Sequence, residues 1–228
     1  MIPWEQLDRA EAPGGVVITL VRHGTDYVIR FDGQELMSSR MHASEDALGA
    51  RGCDGLKARR GARVLVGGMG LGYTARAALD ALGRDARLDI AEIVPAVVRW
   101  NRTELSHLAG HPLRDPRVTV LEDDVRDVIA AAHARYDAIL LDVDNGPDAF
   151  VVGSNEGLYT EAGLRHAARA LREGGTYGVW SVADDPRFTS RLRAAGFEVR
   201  TEHVRARGAR GRFHQLWLAR RPSARPVR

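Results

Sequence analysis

Residues 63–74 read RVLVGGMGLGYT, an apolar strand pattern that runs into Gly67, Gly68, Gly70 and Gly72 before a helical pattern opens near Tyr73. Glycine lets the backbone turn tightly and come close to a ligand, and the free N–H groups of a following helix can meet that ligand. Taken alone, the run is also compatible with a tight strand-to-helix turn that holds nothing. Its surroundings decide the fold. Downstream, short apolar runs at residues 88–94, 118–121, 138–143 and 176–182 alternate with helical segments, which predicts parallel βαβ units with right-handed crossovers. The runs at 197–204 and 213–219 are separated only by a loop at 205–212, so no crossover helix fits between them. They are expected to close the sheet edge as an antiparallel hairpin.

Upstream, residues 16–38 alternate apolar and polar positions around His23-Gly24-Thr25 and Asp32-Gly33, which are turn signals between strands. A small antiparallel β element is expected there, followed by a helix over about 44–57. The expected division is an N-terminal β element at 1–42, a Rossmann-like domain at 43–220 and a basic tail at 221–228. The fold class is α/β. Two or three N-terminal strands are too few to stand alone and must pack on the main domain or on another subunit.

Composition narrows the classes. The 228 residues are 44% hydrophobic, enough for a continuous core, and no apolar run is long enough to span a bilayer. The first twelve residues carry Glu5, Asp8 and Glu11, unlike an export signal, so a cytoplasmic protein is expected. Cys53 is the single cysteine, which excludes an internal disulfide and a cysteine-based zinc cluster; no metal site is expected. Net charge is only +3, and Lys57 is the sole lysine among arginines. The runs at 205–212 and 220–228 read as solvated loop and tail, and a nucleic-acid partner is not expected.

The strand ends carry the candidate chemistry. Glu92, with Ile93 beside it, lies about twenty residues past the glycines, where an acid can accept from both hydroxyls of a ribose. Asp124 and, next, Asp123 end the third strand, where an Asp can accept from the exocyclic amine of adenine or cap the next helix. Asp142 ends the fourth strand and Asp144 follows two residues later, both directed at the mouth where open α/β sheets bind ligands. One glycine loop, a ribose acid and an adenine acid, without a G-K-[ST] element, fit an adenosyl sulfonium compound better than a nucleoside triphosphate. The glycine spacing also departs from the clean dinucleotide fingerprint.

In order along the chain, VLVGGMGLGYT, AEIVPAVV, RVTVLEDDVRDVI, YDAILLDVDNGP and LYTEAGLRHAARALREGG resemble the motifs of the spermidine synthase family, over about residues 15–220. That resemblance implies a class I methyltransferase sheet, mostly parallel with an antiparallel C-terminal hairpin, and a homodimer. It implies that Gly68, Gly70 and Gly72 line the cofactor, that Glu92 holds the ribose, that Asp124 with Val125 contacts adenine, and that Asp142 anchors or deprotonates the attacking amine, with Asp144 beside it. The departures bear on the reaction. Where aminopropyltransferases carry an Asp that binds the free ammonium of decarboxylated S-adenosylmethionine, this chain has Gly70. A second family Asp falls on Asn145, and of the acidic N-terminal stretch only Glu45 remains. Arg40 replaces an acid and is expected to face a carboxylate of cofactor or substrate. The reading that results is S-adenosylmethionine-dependent methyl transfer to a small-molecule nucleophile, an amine, with Arg40, Glu45, Asp144 and Asn145 toward the acceptor. The alternative is aminopropyl transfer from decarboxylated S-adenosylmethionine to a polyamine.

Overall fold

The computed structural model describes residues 2–143, 155–207 and 210–223. Four strands, β1 (Glu5–Ala12), β2 (Val16–His23), β3 (Asp26–Phe31) and β4 (Gln34–Ser38), form an antiparallel sheet in sequential order. Asp32 and Gly33 both take positive φ, 47° and 78°, as a two-residue hairpin turn that follows strand twist requires. In β2 the alternation Ile18, Leu20 sends apolar side chains inward, paired with Phe31 and Ile29 of β3 respectively. The first strand was not expected. EQLDRAEA has only Leu7, Ala10 and Ala12 as apolar residues, packed on the core, and β1 is otherwise a partly exposed edge held by its ladder to β2.

Helix α1 (Ala43–Gly52) leads into the main sheet. It stops short of the expected end near residue 57, since Gly55 turns left-handed at φ 75° and a 3-10 turn, Leu56–Ala58, follows. The main sheet comprises β5 (Arg63–Gly67), β6 (Arg87–Ala91), β7 (Val118–Leu121), β8 (Tyr136–Leu141), β9 (Leu171–Ser181), β10 (Glu198–Arg207) and β11 (Arg210–Arg220). Their order is β10-β11-β9-β8-β5-β6-β7. The five strands from β9 to β7 are parallel, and β11 and β10 close the edge antiparallel, as expected. The loop expected at 205–212 is instead mostly strand: Arg205 pairs with Phe213 and Arg207 with Arg210. The tail is not free from residue 221, because the Arg221 backbone is bonded to Gly174 and Gly175.

Crossovers are made by α2 (Tyr73–Asp80), α3 (Pro95–Arg102), α4 (Val125–Ala131), α5 (Glu156–Tyr159), α6 (Glu161–Ala170) and α7 (Pro186–Ala194). Asp124, Thr160 and Asp185 cap α4, α6 and α7 through side-chain oxygens, which fixes where those helices begin. Burial of both sheet faces explains the near-continuous apolar runs in β5 and β8. Val64 and Val66 of β5 face one core cluster and Leu65 the other, the strand's two-residue period. The first cluster also takes in Ile18, Leu20, Tyr27 and Ile29, so the N-terminal sheet shares the core of the main domain.

β5 sits where the strand order reverses, between β6 and β8. Ligands of open α/β sheets bind outside the carboxyl ends of the strands at such a point.

Candidate functional site

Three backbone bonds extend the ladder past the strand ends and align their tips: Gly68 N–H to Ala91 O, Glu92 N–H to Leu121 O and Asp142 N–H to Gly67 O, each 2.9 Å. Gly68 has φ 84°, and a Cβ there would lie 2.4 Å from the Asp142 carbonyl oxygen, so no other residue fits. Gly70 has φ 48°, and a Cβ there would meet the Met37 Sδ at 2.6 Å. The glycine loop is therefore pressed between β8 on one side and β4 of the N-terminal sheet on the other. Asn101 of α3 holds it from behind, donating from Nδ2 to Gly70 O at 2.8 Å, and Gly72 opens α2.

Glu92 is buried at the end of β6. Its carboxylate accepts from the Met69 N–H (2.9 Å) and the Val94 N–H (2.8 Å), tying the glycine loop to the next strand. Burial pushes its pKa up, and backbone N–H groups of Met69, Val94, Gly70 and Ile93 oppose that rise.

Asp124 proves to be the cap. It accepts from the Arg126 N–H at 2.8 Å and from the Arg126 guanidinium at 2.6 Å. Burial works against its charge, but the Arg126 bonds outweigh burial and hold the carboxyl below its ordinary range. Asp123 is exposed and accepts only from the Asp124 N–H among the bonds seen here. Asp123, exposed, has acceptor capacity to spare for a ligand as well. Val125 is buried under Gly67.

Asp142 Oδ2 accepts from Thr74 Oγ1 at 2.6 Å, which binds the end of β8 to the first turn of α2. Beside it, Glu45 occupies the first turn of α1, only 8% exposed. Desolvation first, and then the neighbouring Asp142 charge, push the Glu45 carboxyl up to about 8, against a hydrogen bond from Ser44. Residues 45 and 142 are far apart in sequence and share one acidic corner. Arg40 is elsewhere: it pairs with Asp26 at 2.7 Å within the N-terminal sheet and is absent from the cavity wall. Asp144 and Asn145 lie outside the described residues.

These tips border a cavity of about 310 Å³, at the lower end of the roughly 300–1,000 Å³ usual for small-ligand sites. One wall is Gly70, Glu92, Ile93, Val97 and Asp142 from the main sheet; the other is Ile18, Ile29, Phe31, Leu36 and Met37 from the N-terminal sheet. The second wall was not anticipated as part of the site. Its signal was present as β2–β4 alternation, but alternation shows which residues turn inward, not what they enclose. Thr74 and Asn101 were also missed, since hydroxyl and amide residues inside helices carry no spacing signal.

No protein-family model matches the chain. In sequence it is 32% identical over 198 residues to a polyamine aminopropyltransferase of Mycobacterium tuberculosis (strain ATCC 25618 / H37Rv), covering 82% of this chain and 36% of that protein. It is 35% identical over 114 residues to putrescine N-methyltransferase 4 of Nicotiana tabacum, covering 50% of this chain and 28% of that one. The chain spans less than half the length of the curated relatives it matches. In structure it is similar to a spermidine synthase solved in complex with the transition state analogue AdoDATO, with a TM-score of 0.70 and 17% identity over 94% of this chain and 72% of that one. The architecture is thus the class I methyltransferase-like fold. Within it, the sequence matches support a spermidine synthase-like family, and the structural likeness shows the shared fold.

Proposed function

We propose that the chain is an S-adenosylmethionine-dependent transferase that methylates a small amine. Support for an adenosyl sulfonium ligand comes from the aligned strand tips, from a cavity of suitable size and from the analogue held by the structural relative. Gly68, Gly70 and Gly72 would let the backbone approach the cofactor, Glu92 would accept from the ribose hydroxyls, and Asp123 with Val125 would border the adenine. Bound there, the cofactor supplies a methyl group activated by positive sulfur. Asp142, at the cavity wall and fixed by Thr74, would orient the acceptor amine and take its proton, since the nitrogen needs a free lone pair. The apolar wall from the N-terminal sheet excludes water and aligns the reactants, which is most of what a direct displacement needs.

The observation that carries methyl rather than aminopropyl transfer is the space at Gly70. An acid at that position is what the family resemblance assigns to an aminopropyl ammonium; here Met37 sulfur fills the place where even a Cβ would sit. Glu92 and Asp142 are the carboxylates of the cavity wall among the described residues, a poor match for a long polycation. Aminopropyl transfer remains the second reading, favoured by the more extensive sequence match to polyamine aminopropyltransferases. Calorimetry with intact and decarboxylated S-adenosylmethionine, followed by mass spectrometry of the product formed from putrescine, tests both. Binding and a methylated product are expected. A spermidine product from the decarboxylated compound alone would overturn the methyl reading, and no binding of either compound would overturn the transferase reading.

A further inference from the structure

An amine that attacks as the free base must first lose a proton, and after the N–C bond forms while the C–S electron pair returns to sulfur, the product is again an ammonium ion. One proton is therefore released per turnover. Asp142 can receive it at the cavity wall, across from the apolar residues Ile18, Ile29, Phe31 and Met37, none of which can accept a proton.

Behind Asp142 the structure holds a chain of exchangeable protons that the transfer reaction itself does not need. Thr74 Oγ1 lies 2.6 Å from Asp142 Oδ2 and 3.4 Å from the Glu45 carbonyl oxygen, which places the start of α1 against the acid. The Glu45 carboxyl is hydrogen-bonded to Ser44 Oγ, and Ser44 Oγ is 2.8 Å from His214 Nδ1 on β11. Ser44 is fully buried and Glu45 nearly so, whereas His214 is half-buried, stacked edge-on against Trp180 at 4.7 Å, and reaches solvent. Three residues from two distant segments thus form a hydrogen-bonded chain that starts at the Glu45 carboxyl, which senses the Asp142 charge, and runs toward the surface.

We infer that Glu45, Ser44 and His214 form a proton path that connects the Asp142 corner to solvent, an inference that rests on the amine-transfer reading for its purpose but not for its test. In the outward direction protonated Glu45 donates to Ser44 Oγ as the Ser44 hydroxyl proton passes to neutral His214 Nδ1, and the Glu45 carboxylate left beside Asp142 takes up the proton that Asp142 received from the amine. The imidazolium then releases its Nε2 proton to water, and rotation of the Ser44 hydroxyl resets the path. The charges facing it set where the proton rests: Asp142 and Asp46 face Glu45 and favour its protonated form, and burial with Arg212 nearby lowers the His214 pKa, so transfer to the ring is the uphill step and release from the ring to water the downhill one. Ser44 and His214 are positioning residues: neither borders the cavity.

The test is nuclear magnetic resonance of the full chain labelled with ¹⁵N-histidine, followed from pH 5 to 9. In the native protein the His214 nitrogens are expected to titrate in two steps, one of them reporting Glu45. Glu45→Gln removes that step, and Ser44→Ala uncouples it while leaving the other histidines unchanged. A single-step His214 curve that is identical in all three proteins overturns the path, whatever the enzyme does. In turnover, His214→Gln and Ser44→Ala should lower kcat about tenfold with unchanged KM and unchanged S-adenosylhomocysteine affinity, because only proton removal is slowed. Unchanged kcat and pH–rate profile in both variants would overturn it as well. Failure of the native protein to use any amine, with the coupled titration present, would count against the transferase reading and leave the path standing.

Discussion

Glu45→Gln should make the protein's stability much less sensitive to pH. In the folded chain the Glu45 carboxyl is raised to about 8 from an ordinary 4.5, through burial first and the Asp142 charge second. Between those two values the folded state keeps a proton that the unfolded state has released. Its contribution to stability is complete below the unfolded value and is lost as pH rises through the folded one, at about 1.4 kcal/mol per pH unit. Glutamine keeps the shape and the hydrogen bond with Ser44 without the titration. The difference between native protein and variant cancels the groups that Glu45 does not touch. With a urea dependence of about 3 kcal/mol per molar, the native midpoint should fall relative to the variant by about 0.5 M for each unit from pH 5 to 8. Urea unfolding at several pH values measures it. Parallel midpoint curves for the two proteins would show that Glu45 is solvated and ordinary, and the acidic corner would have to be abandoned.

Thr74→Val removes the hydroxyl that binds Asp142 and should cost about 1–3 kcal/mol of stability in thermal unfolding together with a lower kcat. Gly70→Ala should destabilise by about 1–3 kcal/mol through the left-handed backbone and the Met37 contact. Adding Met37→Ala should relieve the contact part alone, and Gly70→Asp in that background should shift calorimetric preference toward decarboxylated S-adenosylmethionine. Glu92→Gln should weaken S-adenosylhomocysteine binding by about tenfold or more, a loss near 1.4 kcal/mol. Arg40→Ala should leave that affinity unchanged and stability within about 1 kcal/mol, because its partner is Asp26 at an exposed ion pair.

The parallel strands were readable because burial on both faces makes them continuous apolar runs, as in Arg63–Gly67 and Tyr136–Leu141. The acids at strand ends were readable because sheet topology alone brings the tips together, as it does for Gly70, Glu92 and Asp142. Edge strand β1 was not, since its polar residues gain order from pairing with β2 rather than from burial. The sequence reading prefers Asp124 over Asp123 for adenine although capping asks for the same residue type; the structure shows Asp124 capping α4 and paired with Arg126, two positions on. The approach of Glu45 to Asp142 and of Met37 to Gly70 depends on how α1 and β4 lie across the main sheet, which no local spacing encodes.

Ile18 and Ile29 belong at once to the central cluster and to the cavity wall. Any compound that settles against them is in contact with both sheets and acts as a clamp across their seam. Its binding free energy adds directly to the cohesion of the two halves, by RT ln(1 + [L]/Kd) for free ligand in excess. Amide exchange in β2 and β3 should therefore slow when the ligand is present, and substitutions at the seam far from the reacting atoms should surface first as weakened affinity.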